Sequence, residues 1–275
     1  MKLSGFTIVK NAEKLGYPVV EAIKSALPLC DEFIVNFGDS DDNTEKLVKS
    51  IDYPNFKFIY TPWNPNNRKG GRELACQTNI ALAQCTGDWG LYIQADECIH
   101  ENSYDAVRQK LHDDLSDLKI DGYLSKYYHF WGDYDHLMPD SEEPYPHSIR
   151  IIRIGSALSC GDACGFRAIR KWRRCFSEYF RAKKIDMPVY HYGHVRLPKE
   201  MWKKNIEFKA LYDHKQTRLD DISKKEYGET FIDPGKSPYI FNKSHPKIMD
   251  NRIKNFNKEM EKFKNKKPIS SSVDN

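Results

Sequence analysis

The first hundred residues alternate short apolar runs with amphipathic stretches. Apolar runs at 3–9, 33–35, 56–60 and 89–93 predict four buried strands. Between them, apolar residues recur at helical spacing, and Pro18 and the Gly-Asp-Ser turn at 38–40 stand where two of these helices begin. Strands that alternate with helices over short turns predict an α/β fold, with a mainly parallel, twisted sheet that is flanked by helices on both faces.

The second half of the chain has a less regular pattern. Strands are predicted at 122–130 and 149–154, and the loop between them, at 132–147, carries acidic residues and prolines. Helical spacing returns near Trp202 and from 251 to 263. We find no internal repeat and no linker-like stretch. We therefore expect a single domain over 1–250 with an irregular C-terminal part, followed by a basic helix and tail at 251–275.

The composition agrees with a folded protein that has a real core. Of 275 residues, 40% are hydrophobic, 30% are charged and 13% are aromatic, which excludes a chain that is disordered over most of its length. No apolar run approaches the roughly 18 residues of a membrane-spanning helix. The first six residues lack the apolar stretch of a signal peptide, so export by that route is not expected.

Charge and cysteine content narrow the expected partners and compartment. The net charge of +4 is too small to indicate a nucleic-acid partner, although basic residues cluster at 167–184 and 243–267. The seven cysteines are scattered and form no CxxC pair, which argues against a zinc site and favours small core residues in a reducing compartment. We therefore expect a cytoplasmic protein that binds no nucleic acid.

Polar turns follow three of the predicted strands, at 10–11, 38–44 and 94–97. The carboxyl ends of parallel strands meet at one edge of a sheet, where ligands of open α/β folds bind. In the third turn, Asp96 follows a buried strand, and carboxylates are ligands that Mg²⁺ and Mn²⁺ prefer. An ordinary acidic turn is the alternative, and these residues alone leave both interpretations open.

The motifs occur in the order found in family 2 glycosyltransferases of the GT-A fold. Segment 5–12 resembles their first strand and turn, and 38–44 resembles their D-G-S-x-D-x-T turn. The block at 71–97 resembles their central helix, A-x-G-D segment, apolar strand and D-x-D motif, with Gln94 in the position of the first acid. Segments 190–196 and 244–246 resemble a bacterial branch of this family. The resemblance extends from about residue 3 to about residue 250.

The resemblance implies transfer of a sugar from a nucleotide diphosphate donor, with inversion and with Mn²⁺ or Mg²⁺. Residues 1–100 would bind the nucleotide and residues 101–250 the acceptor. By position, Asp96 would be the chief metal ligand and His191 would complete the metal or diphosphate site. A neutral imidazole suits Mn²⁺, but a histidine in an aromatic run is also a common packed core residue, and this alternative stays open.

The same resemblance suggests contacts to the donor. Asn11 and Asp39 are candidates for the nucleotide, and Gln94 stands near the ribose, where an amide can hydrogen-bond a hydroxyl. The cationic candidates on the donor side are Arg150, beside the acidic loop, and the cluster of Arg68, Lys69 and Arg72.

An inverting transfer needs a base that takes the proton of the acceptor hydroxyl. Asp162 lies in the region where the family has its base. Glu142 and Glu143 in the acidic loop are rivals, and a solvated surface acid is the ordinary alternative for each of the three.

The acceptor side of the resemblance indicates a glycan or a lipid-linked molecule, with a UDP-sugar as the donor. In the C-terminal helix, Phe256, Met260 and Phe263 share one face among lysines, as in helices that lie on anionic membranes. This predicts a peripheral contact at the inner face of a membrane. The simpler expectation is that this face packs on the domain.

Two other classes of function remain as hypotheses. A nucleotidyltransferase also uses metal-bound acids on an α/β sheet, but it usually has a glycine-rich loop after the first strand, and segment 10–13 has no glycine. A non-catalytic binder of nucleotide or nucleic acid would use the basic segments with Trp172 and Phe176, although their helical spacing favours a packed core.

Overall fold

A computed structural model of the protein describes residues 1–67, 69–139, 143–169, 180–212, 232–233, 235, 237 and 239–266. Arg68, Glu142, the basic segment 170–179 and the tail at 267–275 lie outside the described residues.

Eleven strands and six helices are described. The strands are β1 (Leu3–Val9), β2 (Glu32–Phe37), β3 (Phe56–Tyr60), β4 (Trp89–Tyr92), β5 (Glu97–Ile99), β6 (Gly122–Trp131), β7 (His147–Arg153), β8 (Ala157–Cys160), β9 (Gly165–Ala168), β10 (Ala182–Lys184) and β11 (Val189–His194). The helices are α1 (Val19–Ala26), α2 (Thr44–Lys49), α3 (Arg72–Leu82), α4 (Tyr104–Asp113), α5 (Pro198–Tyr212) and α6 (Asp250–Lys266).

The main sheet has nine strands. Eight follow the order β3-β2-β1-β4-β7-β6-β11-β5, and β10 also pairs with β6. The pairs within β3-β2-β1-β4 are parallel, as are β6 with β11 and β6 with β10. The predicted mainly parallel α/β sheet is confirmed. Strand β7 is antiparallel to both neighbours, because the acidic loop brings the chain straight back from β6 without a crossover helix.

Helices cover both faces of the first half of the sheet. On β1, Leu3 and Val9 pack with the cluster that includes α1 and α4, whereas Phe6 and Ile8 pack with α3 and the β8–β9 hairpin. This alternation follows the period of two along a strand. Burial of both faces explains why the strand sequences are continuously apolar.

The cysteines among the described residues are all free. Cys30, Cys85 and Cys98 are buried, as expected for small core residues. Cys76 is exposed on α3, so the expectation that it lies in the core was wrong. It stands on the solvent side of a helix whose opposite side packs on the sheet.

Helix α6 packs on the domain through its apolar face. Phe256 makes an edge-to-face contact with Tyr134, with ring centroids 5.2 Å apart, and Met260 is buried. The simpler expectation for this helix is confirmed, and these two side chains are not free to enter a lipid surface. Among the described residues, no helix is both long and apolar enough to cross a membrane.

Candidate functional site

A cleft of about 530 Å³ opens at the carboxyl ends of β1 and β4. Five of the residues proposed from the sequence line it together: Asn11, Gln94, Asp96, Asp162 and His191. They come from the β1–α1 turn, the turn after β4, the β8–β9 hairpin and β11. The site therefore lies where ligands bind in open α/β sheets.

Asn11 joins two of the predicted turns. Its backbone has a positive φ of 51°, a conformation that asparagine tolerates better than most residues. Its side-chain oxygen accepts a hydrogen bond from the N–H of Asp41 at 2.9 Å, and its own N–H donates to the hydroxyl of Ser40. Asn11 thus fixes the 38–44 turn beside the cleft.

Asp39 lies exposed at the rim of the cleft rather than in its lining. Lys10, which does line the cleft, donates a hydrogen bond to Asp39 at 2.8 Å. That hydrogen bond lowers the pKa of Asp39. The carboxylate is therefore charged at neutral pH and tied to the cleft wall through Lys10.

None of the predicted cationic contacts that the structure describes, Lys69, Arg72 and Arg150, is in the lining of the cleft. Arg150 is fully buried, and its guanidinium donates to the carboxylate of Glu97, to Ser148 and to backbone carbonyls. Since its donors are taken inside the sheet, the expected contact with the diphosphate is not supported. Arg72 is exposed at the start of α3.

Asp96 lies at the centre of a buried charged group. Its Oδ2 is 3.4 Å from Nη2 of Arg196 and 3.8 Å from Nε2 of His191. Burial raises the pKa of Asp96, but the positive charges of Lys204 and Arg196 outweigh burial, and the net shift is downward. Asp96 is therefore ionised.

A chain of hydrogen bonds defines the protonation of His191. Nε2 of His129 is 2.8 Å from the carbonyl oxygen of Tyr145, which can only accept, so this nitrogen carries the proton. Burial lowers the pKa of His129, so its ring is neutral and its Nδ1 accepts from Nδ1–H of His191 at 2.9 Å. Burial also lowers the pKa of His191 to about 3. Nε2 of His191 therefore has no proton and faces Asp96.

This donor set fits a divalent cation. An unprotonated nitrogen and an ionised carboxylate lie 3.8 Å apart and cannot hydrogen-bond each other. No cluster of three His, Cys, Asp or Glu ligands occurs in the part of the chain that the structure describes. Two protein ligands are nevertheless typical where substrate phosphates complete the coordination, and imidazole with carboxylate suits Mn²⁺.

The two candidate bases differ in position. Asp162 lines the cleft from the β8–β9 turn, where its Oδ1 accepts a hydrogen bond from the N–H of Cys164 at 3.2 Å. Glu143 is half-buried and precedes Pro144 and Tyr145, which line the cleft, but it is not itself in the lining.

Sequence reasoning missed several residues of the cleft, including Trp63 and Lys204. The sequence predicted helix α5 but not that this helix forms part of the cleft wall. Its residues in the lining include Met201, Lys204, Asn205 and Phe208. The sequence offered only the helical spacing of Lys204 from the apolar Met201 as a signal.

The model of the family described as "Glycosyl transferase family 2" matches residues 6–173 of this chain. The chain belongs to glycosyl transferase family 2. The family match favours the glycosyltransferase hypothesis over a nucleotidyltransferase and over a non-catalytic binder.

Individual proteins similar to this family 2 member match different shares of the chain. An uncharacterized glycosyltransferase of Rickettsia typhi is 31% identical over 106 residues, which are 38% of this chain and 32% of that protein. S. aureus TarS with UDP-GlcNAc is similar over 81% of this chain and 70% of its own, at 14% identity and a TM-score of 0.44. The glucosyl-3-phosphoglycerate synthase of Mycobacterium tuberculosis, solved with Mn²⁺ and UDP, covers 46% and 43%, at 23% identity and a TM-score of 0.32.

Proposed function

We propose that this family 2 glycosyltransferase moves a sugar from a UDP-sugar to a hydroxyl of a glycan or of a lipid-linked acceptor, with inversion. The observation that carries the proposal is the cleft at the carboxyl ends of β1 and β4, which combines polar groups, an ionised carboxylate and a neutral imidazole. Such a combination suits a phosphorylated, hydroxyl-rich donor.

The nucleotide would lie against the turn after β1. Asn11 and Lys10 line this part of the cleft, and Asp39 stands beside them at the rim. Gln94 lines the next strand end, where its amide can donate to a ribose hydroxyl and accept from it. The nucleobase would therefore contact residues 10–11 and 38–40.

Asp96 and His191 would hold a Mn²⁺ or Mg²⁺ ion together with the donor. Such an ion, when bound, neutralises charge that develops on the departing diphosphate. Neighbouring residues would fix the orientation and the protonation of the two ligands. Arg196 contacts the carboxylate of Asp96, and His129 keeps the proton of His191 on Nδ1. We therefore expect the transfer reaction to require a divalent metal ion.

Asp162 would act as the base in a single displacement. The acceptor oxygen attacks the anomeric carbon and its proton passes to the carboxylate of Asp162. The bond from the anomeric carbon to the diphosphate oxygen breaks, and its electron pair leaves with the diphosphate. Attack opposite the leaving group inverts the configuration. Asp162 is preferred to Glu143 because it lines the cleft.

The proposed cellular location of the enzyme depends on the kind of acceptor. A cytoplasmic enzyme is expected, and it would work at the inner face of a membrane if the acceptor is lipid-linked. Since Phe256 and Met260 pack on the domain, a membrane contact would have to use other residues.

The decisive experiment is a transfer assay with UDP-sugars and a panel of glycan and lipid-linked acceptors, with and without Mn²⁺. We expect UDP release that depends on acceptor, and a product of opposite anomeric configuration by NMR. Asp96→Asn should lose activity, whereas Asp105→Asn, at an exposed position of α4, should keep it. Equal loss in both variants, or no turnover of any nucleotide sugar by the wild type, would contradict the proposal.

A further inference from the structure

Lys204 is a buried amine in the wall of the cleft, and burial lowers its pKa to about 7. It lies on α5, one helical turn after the buried Met201, and only 8% of its surface is exposed. Burial of an ammonium group is costly unless hydrogen bonds and opposite charge compensate it. Its surroundings should therefore contain a matching anion.

The described residues do not supply that anion. The ammonium of Lys204 donates to the carbonyl oxygen of Gly193, a neutral group. The nearest ionised carboxylate is Asp96, but Arg196 already contacts it, and Arg196 also donates to the same Gly193 carbonyl. Arg196 and Lys204 thus share Asp96 as their nearest carboxylate.

The other acids that line the cleft have partners of their own. Glu207 pairs with Lys14 at 3.3 Å, and Glu73 accepts hydrogen bonds from Asn64, Asn67 and Gln77. Asp162 accepts from the N–H of Cys164 on the β8–β9 hairpin. The described residues around Asp96 therefore leave Lys204 without a carboxylate of its own.

We propose that Lys204 binds the diphosphate of the nucleotide donor and supplies a positive charge that does not depend on a metal ion. A diphosphate that enters the cleft beside His191 would bring negative charge to Lys204, which lines the same cleft. A flexible ammonium with donors left over can follow the departing phosphate oxygens. The inference rests on the proposed function, because it presumes a nucleotide diphosphate donor.

Gly193 allows the backbone of β11 to pass close to His191 and Asp96. A Cβ at this position would lie 2.4 Å from the His191 ring and 3.4 Å from Oδ2 of Asp96. Only glycine lets the backbone between His191 and His194 pass close enough for its carbonyl to hold both Arg196 and Lys204. Gly193 thereby brings His191, Asp96 and the carbonyl that holds Arg196 and Lys204 close together.

The test is a comparison of UDP and UMP binding by calorimetry, in Mn²⁺ and in EDTA. The variants are Lys204→Gln, Lys204→Arg and, as a matched control, Lys203→Gln on the same helix but outside the cleft lining. We expect Lys204→Gln to weaken UDP binding by about tenfold or more in both conditions, with a smaller effect on UMP. Lys204→Arg should recover part of the UDP affinity, and Lys203→Gln should bind as the wild type does.

The outcomes separate this inference from the proposed function. Unchanged UDP affinity in Lys204→Gln, or equal weakening of UDP and UMP, would overturn the role of Lys204 while the donor site stands. If the wild type no longer binds UDP in EDTA, the claim that Lys204 supplies a positive charge independently of a metal ion is overturned. If the wild type binds none of UDP, GDP, ADP or CDP in either condition, the proposed function fails.

Discussion

Arg150 and Glu97 form an ion pair that is fully buried between β7 and β5. Nε of Arg150 is 2.9 Å from one carboxylate oxygen and Nη2 is 2.7 Å from the other, and both side chains have no exposed surface. Glu97 also accepts from the hydroxyl of Tyr127 and from the N–H of Gln94. The pair thereby fixes the turn that presents Asp96 to the cleft.

We expect Glu97→Gln to destabilise the protein by about 3–5 kcal/mol, because it leaves the Arg150 charge buried without its partner. Urea unfolding followed by tryptophan fluorescence measures this. In the double variant with Arg150→Gln, the second substitution should cost less than it does alone. Glu45→Gln, which removes the exposed pair with Lys49, is the control and should change little. Equal effects of Glu97→Gln and Glu45→Gln would contradict the role of the buried pair.

The lowered pKa of Glu32 predicts that the folded protein loses stability in acid. Burial raises the pKa of Glu32, but hydrogen bonds from Ser4, Thr86 and Lys2 outweigh it and lower the pKa to about 2 from the usual 4.5. Because the folded pKa is the lower one, the stabilisation is fully present above about pH 4.5 and is lost as the pH falls towards 2. Its upper limit is about 3 kcal/mol.

Unfolding free energies of the wild type and of Glu32→Gln between about pH 3 and pH 7 test this. The difference between them should be largest at neutral pH and should shrink in acid. A difference that stays constant with pH would show that the carboxylate is not the cause.

Asp162→Asn should lower kcat by a factor of about 10² to 10⁴ and leave UDP affinity unchanged, because the amide cannot accept the acceptor proton. Steady-state kinetics and calorimetry check the two parts separately. Glu143→Gln is the comparison and should keep most of the activity. If Glu143→Gln has the larger effect on kcat, the base is Glu143.

His129→Leu should weaken Mn²⁺ binding in the presence of UDP by about 10- to 100-fold, since His191 would lose the acceptor that keeps its Nε2 free. His129→Asn, which keeps an acceptor near the position of Nδ1, should recover part of the affinity. Electron paramagnetic resonance of Mn²⁺ gives the binding constant. Tyr128→Phe, at the neighbouring position of β6, is the control, and an equal loss there would indicate a general disturbance.

Phe256→Ala should destabilise the protein by about 2 kcal/mol, less than a fully buried phenylalanine, because Phe256 is only partly covered by Tyr134. Thermal unfolding measures the effect, and Lys258→Ala at an exposed position of α6 is the control. The wild type should not sediment with anionic vesicles through this helix. Sedimentation that Phe256→Ala abolishes would mean that the helix leaves the domain to bind lipid.

The sequence by itself determined the first half of the fold and the edge where the site lies. Apolar runs of strand length, helical spacing and short polar turns are local properties, and the parallel order followed from them. Because parallel strands end at one edge, the turns carrying Asn11 and Asp96 were expected to meet, and they do.

The tertiary structure alone decided which polar residues face the cleft. Asp96 and Glu97 are adjacent in sequence, but Glu97 pairs with Arg150 of β7 inside the fold, whereas Asp96 lines the cleft. Likewise, the buried charge of Lys204 depends on how α5 packs beside the turn at Gly193. Hydrogen bonds and ion pairs between residues far apart in sequence have no local pattern, so they become visible only once the chain is folded.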